Sequence, residues 1–287
     1  MYKLTNPSEI KQLMNKYGKT FKKALGQNFL INEKVIDNIV AGSNITQNDM
    51  VLEIGPGIGV LTFKLAQTGA RVVAVEIDSL LMPVLEETLA EFDNVEIINA
   101  DFMSIGMDKL INEKFDEKKV KVAANLPYYV TTPIIMKLLE YKDFVESITV
   151  MVQKEVAKRL VAQHNTSDYG AISIAVQYRT KAEIIDMVPA ADFMPMPKVD
   201  SAVVRLTVLD KPPVKVSDEK LFFKIVKGGF ALRRKTLQNS LSGSVSGISK
   251  EQVAEALEYV GLSPTIRGEA LSLQNYADIT DYFVKNI

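Results

Sequence analysis

Val51-Leu52-Glu53-Ile54-Gly55-Pro56-Gly57-Ile58-Gly59 is the stretch that decides the fold. An apolar run carrying one carboxylate breaks into three glycines on alternate positions. Val60-Leu61-Thr62-Phe63-Lys64-Leu65-Ala66 follows with apolar residues at helical spacing. The pattern reads as strand, tight turn, helix. Glycine admits backbone angles that other residues resist. Lacking a side chain, it also lets a ligand lie against the main chain.

Downstream, Arg71-Val72-Val73-Ala74-Val75-Glu76 is a second strand ending in a carboxylate, and Glu76 lies 21 positions (76 − 55) after Gly55. An acid about 20 residues beyond the glycine turn holds a ribose through its vicinal hydroxyls. The dinucleotide fingerprint G-x-G-x-x-G needs its third glycine at position 60, which is Val60. That substitution disfavours a nicotinamide oxidoreductase. The Glu-x-Gly-x-Gly-x-Gly pattern instead looks like the first motif of class I S-adenosylmethionine (SAM) methyltransferases, so the expected cofactor is SAM.

The 287 residues suffice for one large domain and a small one, and an apolar content of 47% supports a sizeable core. The chain has no cysteine, which excludes disulfides and thiolate metal sites. Its one histidine, His164, sits in the polar stretch Gln163-His164-Asn165-Thr166-Ser167-Asp168 and reads as a loop residue. Neither a histidine-based triad nor a zinc site is expected. The N-terminus does not read as a signal peptide, and no apolar run reaches membrane-spanning length. A soluble cytoplasmic monomer with no membrane partner is the expectation. With a net charge of −1, nucleic-acid binding would require local basic patches.

Further strands are expected at 95–98, 120–124 and 147–152, and helices near 33–42 and over 78–91, 132–141 and 155–163, with another amphipathic segment at 171–179. Alternating strands and helices imply an α/β, Rossmann-like, doubly wound and mostly parallel sheet. Such sheets bind ligands at their C-terminal strand ends. Gly55, Glu76, Asp101 and Asn125 all fall at such ends. Residues 182–187 and 202–209 alternate like paired strands around a stiff, proline-rich loop that carries Phe193. Beyond Lys211-Pro212-Pro213 only helical patterns remain, near 218–231, 234–241, 249–259 and 272–285. The expected domains are therefore 1–210, cofactor-binding with an N-terminal flap, and 211–287, all-helical.

Four stretches match one family: Leu25-Gly26-Gln27-Asn28-Phe29-Leu30, the glycine turn, Asn125-Leu126-Pro127-Tyr128, and Phe193-Met194-Pro195-Met196-Pro197-Lys198-Val199-Asp200-Ser201. The chain resembles the rRNA adenine dimethyltransferases, specifically the bacterial small-subunit type. The match continues through Phe230-Ala231-Leu232-Arg233-Arg234-Lys235-Thr236-Leu237 and so covers nearly the whole chain. The resemblance implies a SAM shell of Asn28 and Leu30 from the flap, Gly55 at the turn, Glu76 on the ribose, Asp101 on the adenine amine and Asn125 near the methionine moiety. It also implies a methyl-acceptor site in which the Asn125 side chain and the Leu126 carbonyl take hydrogen bonds from the target amine. There Tyr128 and Phe193 would stack on a flipped base.

The implied reaction is dimethylation of two adjacent adenosines near the 3′ end of small-subunit rRNA, with a role in small-subunit biogenesis. Lys22, Lys23, Arg233, Arg234 and Lys235 are the candidate RNA contacts, against the plainer reading of a charge run as a solvated helix face. Two alternatives compete: a resistance-type methyltransferase of large-subunit rRNA, and an assembly factor that binds without catalysing.

Overall fold

The computed structural model describes residues 3–18 and 27–286. It packs as two compact units, Met1–Ala157 with Glu183–Val208, and Lys158–Ala182 with Leu209–Ile287. The expected boundary at 210 thus misplaces Lys158–Ala182. Tyr169, Ile174 and Tyr178 from that segment bury their side chains among Phe222, Ile225 and Tyr276 of the C-terminal helices. This apolar pairing holds the segment to the second unit.

In the first unit, β1 (Phe29–Leu30) pairs antiparallel with β8 (Phe193–Met194) as a separate ribbon. The main sheet contains β2 (Met50–Ile54), β3 (Arg71–Glu76), β4 (Val95–Asn99), β5 (Val120–Asn125), β6 (Val145–Gln153), β7 (Thr180–Val188) and β9 (Ser201–Val208). Their order across it is β4-β3-β2-β5-β6-β9-β7. Pairing is parallel from β4 through β6 and antiparallel between β6 and β9. The chain builds outward from β2 to β4, then returns to start β5 on β2's other side. The topological switch point therefore lies between β2 and β5, where a ligand crevice is expected. Gly55 and Asn125 stand at its two sides.

Strand and helix chemistry explains the local structure. The central strands are near-continuous Val, Ile and Ala runs because both faces are covered. After β3, Asp78 accepts from Leu80 N–H and starts a 3-10 turn over Ser79–Leu81. That turn delays α4 to Met82–Thr88 and puts Pro83 in its first turn, where a missing N–H is harmless. In the second unit Asp218, Thr236 and Ser249 cap three successive helices through their side-chain oxygens. One helix, Met107–Phe115, lies where no helix was expected from sequence.

Candidate active site

The site begins with the glycine turn. Gly55, Gly57 and Gly59 all have positive φ, at 71°, 63° and 89°. At Gly57 space is also short, since a Cβ there would lie 2.9 Å from the Phe29 ring. At Gly55 the nearest atom to such a Cβ is Pro127 Cδ at 3.8 Å, so this glycine leaves open room beside the backbone. A side chain at Gly55 would be strained and would fill that room.

Glu76 fastens the turn. Its Oε2 accepts from Gly57 N–H at 3.0 Å and its Oε1 from Asp78 N–H at 2.8 Å. The side chain is nearly covered, and burial pushes its pKa above the usual carboxylate range while these backbone N–H groups pull the other way. One strand over, Glu53 is 1% exposed and completely desolvated. Its Oε2 has no hydrogen-bond partner among the described residues. Burial pushes its pKa up to about 8; the nearby Thr62 hydroxyl opposes the shift and the charge of Glu76 adds to it.

Glu53, Gly55, Glu76 and the segment Asn125–Tyr129 line one cavity of about 80 Å³. An adjoining cavity of about 190 Å³ shares Gly55, Ile77, Pro127 and Tyr129 with it and adds Asp101. The Asp101 carboxylate also accepts from Met103 N–H at 2.8 Å and Ser104 Oγ at 3.1 Å, which shapes its loop. Behind that loop, the Lys137 ammonium donates to three backbone carbonyls, Phe102 at 2.8 Å, Met103 at 3.0 Å and Ile105 at 2.7 Å.

Asn125 closes the cavity from β5. Its Nδ2 donates to the Asn28 carbonyl at 3.2 Å, which leaves Oδ1 to accept from elsewhere. Leu126 N–H donates to Met151 O at 3.2 Å, so β6 fixes the peptide that joins Asn125 to Leu126. The Tyr128 hydroxyl bonds Ser201 Oγ at 2.7 Å, and Asp200 accepts from Ala190 N–H at 3.1 Å while facing Lys154 at 3.8 Å. The flap, acceptor and proline-rich stretches, distant in sequence, are thus stitched into one site.

With this geometry in view, comparison with known proteins decides the family. The family model for ribosomal RNA adenine dimethylase matches residues 18–284. The chain belongs to that family. It is 48% identical, over the whole of both chains, to the ribosomal RNA small subunit methyltransferase A of Alkaliphilus oremlandii. It is 47% identical to the protein of that name from Bacillus cereus, covering 99% of this chain and 98% of that one. Among solved structures it is similar to a dimethyladenosine transferase from Plasmodium falciparum, with TM-score 0.75, 25% identity and coverage of 89% and 97% of the two chains. It is also similar to the 23S rRNA methyltransferase ErmE, with TM-score 0.68, 26% identity and coverage of 89% and 99%.

The rRNA adenine dimethylases are SAM-dependent methyltransferases, and this chain is one. Its residues suit that cofactor. Among the described residues no Lys, Arg or His lines the first cavity, and its carboxylates suit a phosphate-free, cationic nucleoside. Asn28, Leu30, Gly55, Glu76 and Asn125 line that cavity together, and Asp101 lines its neighbour.

Phe193 needs correcting. Expected to offer an open stacking face, it is 3% exposed and packed in the core with Val188 and Val203. Its pairing with Leu30 in the β1–β8 ribbon fixes the backbone so that the ring points inward. Phe193→Ala should therefore destabilise the first unit by about 3–5 kcal/mol, as for other buried aromatics. Thermal unfolding checks this, and a loss within about 1 kcal/mol would return the ring to the surface. Tyr129, by contrast, is 59% exposed and borders both cavities.

The basic run Arg233-Arg234-Lys235 is exposed on a turn between α9 (Glu219–Gly229) and α10 (Leu237–Ser244), not on a helix face. Arg233 is partly structural, donating to the Ser167 carbonyl at 2.7 Å and the Tyr169 carbonyl at 3.3 Å. Arg234 shares a hollow of the second unit with Arg267 and Thr265, residues that sequence reasoning missed. Lys22 and Lys23 lie outside the described residues.

Proposed function

We propose that the protein dimethylates the N6 amines of two adjacent adenosines in the 3′-terminal hairpin of small-subunit rRNA, and that it does so while docked on an assembling small subunit. The observation that carries this reading is the acceptor segment. Asn125 and Leu126 line the cavity, the first with its Nδ2 tied to the Asn28 carbonyl so that Oδ1 is left to accept, the second with its N–H tied to β6.

SAM supplies an electrophilic methyl group when bound. The chain's part is alignment and exclusion of water. Asn125 Oδ1 and the Leu126 carbonyl accept from the two amine protons and draw the nitrogen lone pair out of the ring's π-system. Pro127 stiffens the segment that holds both acceptors. No strong base is needed, because the amine proton becomes acidic once the nitrogen is alkylated. The target base leaves its stack to enter. Tyr128, held by Ser201, and the exposed Tyr129 offer it aromatic faces, and stacking of this kind contributes about 1–3 kcal/mol per base. Phe193 anchors the proline-rich loop. Arg234, Lys235 and Arg267 contact phosphate, positioning the RNA without reading its sequence.

The test is primer extension on rRNA after incubation with SAM and isolated ribosomal subunits. Dimethylation blocks the Watson–Crick edge, so two adjacent stops should appear near the 3′ end of the small-subunit RNA. Stops only in large-subunit RNA would overturn the reading in favour of the resistance type. Arg234→Ala with Lys235→Ala should weaken subunit binding and lower its salt slope by about 2, with SAM affinity retained. Arg233 is left intact because its loss would disturb the fold.

A further inference from the structure

Glu53 poses a problem that the reading above does not use. A carboxylic side chain lines the first cavity, is fully desolvated, and has one oxygen with no hydrogen-bond partner among the described residues, the buried Thr62 hydroxyl being its polar neighbour. A buried polar group without a partner costs stability, and an ionised one costs far more. Its sheet neighbours, Ala74 on β3 and Ala123 on β5, offer no polar group. From α2 (Glu33–Gly42) the cavity receives Ile36 and Ile39, and from α3 (Val60–Ala66) it receives Val60 and Leu61. The charged residues of those helices, Asp37 and Lys64, pair with each other at 3.1 Å toward solvent. The other titratable groups lining the cavity are Glu76, Tyr128 and Tyr129, and Asp78 stands behind Glu76. Among the described residues, two carboxyl groups and no cation line this cavity.

Charge decides what such a cavity accepts. SAM carries a sulfonium, an ammonium and a carboxylate, and is a net cation; the demethylated product has a neutral thioether in place of the sulfonium. Two nearby carboxyl groups share one proton readily when nothing positive stands between them, and both ionise when a cation arrives. Each oxygen of Glu76 holds a backbone N–H, whereas Glu53 Oε2 has no hydrogen-bond partner among the described residues. We propose that Glu53 is the charge-compensating group of the cofactor site: it holds a proton in the free protein and releases it when SAM binds, so that SAM and its thioether product are told apart by charge. This rests on the reading of the cavity as the SAM site. Loss of the sulfonium during methyl transfer leaves the ionised carboxyl uncompensated, and a proton returns to Glu53 from solvent as the product departs.

The experiment is calorimetry of the full chain with SAM and with S-adenosylhomocysteine, each in two buffers of different ionisation enthalpy, near pH 7.5 where a group titrating about pH 8 is mostly protonated. Wild type should release close to one proton on binding SAM and much less on binding the product. SAM affinity should rise by up to about tenfold per pH unit between about pH 6.5 and 8, while product affinity stays nearly flat. Glu53→Gln keeps the shape and cannot ionise, so its SAM affinity should be flat with pH and its proton release should vanish. Because Glu53 titrates higher in the fold than when unfolded, its ionisation destabilises the free protein increasingly from the ordinary carboxylate range up to about pH 8. Free Glu53→Gln should therefore melt at or above the wild-type temperature in alkaline buffer, which separates the effect from misfolding. Equal proton release with SAM and product, or release undiminished in Glu53→Gln, would overturn the proposal. Failure of wild type to bind SAM at all would instead overturn the assignment of the cavity.

Discussion

Replacing Glu76 with Ala should weaken SAM binding by roughly 30- to 150-fold, or about 2–3 kcal/mol, the range for hydrogen bonds to a charged group lost from a buried site. Two losses combine. On our proposal that Glu76 holds the ribose, the ribose hydroxyls would lose their acceptor, and the N–H groups of Gly57 and Asp78 lose the oxygens that hold the glycine turn in place. Glu76→Gln should rescue little. One amide oxygen can serve only one of the two backbone donors at a time, and the amide NH₂ would then face the other N–H. Titration calorimetry measures the affinity, and a melting curve confirms that the variant is folded. Wild-type affinity in Glu76→Gln would remove the charge of Glu76 from the account of cofactor binding.

A second large effect is expected far from any catalytic chemistry. Gly268→Ala would drive its Cβ onto the carbonyl oxygen of Gly229 and to 2.9 Å from both Gly229 C and Tyr276 Oη. The Tyr276 hydroxyl already donates to the Gly268 carbonyl at 3.1 Å, and its ring is fully buried. Backbone carbonyls and a buried tyrosine cannot swing aside as a surface side chain can. The substitution should cost about 3 kcal/mol or more, the upper range for overpacking a core. For a unit of this size that lowers the melting temperature by roughly 10 °C or more. Calorimetric scans of the two proteins measure the difference, and coincident melting would show that the 3-10 turn Gly268–Ala270 yields cheaply.

The sheet was legible because its physics is periodic. Apolar runs bounded by glycine or polar residues located the main strands, and the acids and amide at their ends are residues that line the two adjoining cavities. The β1–β8 ribbon was not legible, since two strands of two residues leave no period to detect. That gap misled the reading of Phe193, whose inward direction is set by a backbone pairing with Leu30, over 160 positions away in the chain. Glu53 was visible as an acid interrupting an apolar run, a signal of burial that had been read only as part of the turn motif. The helix Met107–Phe115 lies within a lysine- and acid-rich stretch whose apolar positions Met107, Leu110, Ile111 and Phe115 do follow helical spacing. In the second unit, Lys158–Ala182 carried helical signals but nothing in its local sequence to say which core it would join.

An ammonium has three N–H groups. Lys137 gives all of them to the carbonyls of Phe102, Met103 and Ile105. Near a site that receives a polyanion, a lysine would ordinarily be counted among the groups that neutralise phosphate and release counterions. This one has no donor to offer. It cannot clasp a phosphate oxygen without releasing a carbonyl of the loop, so its replacement should loosen the turn beside Asp101 rather than remove a direct phosphate contact.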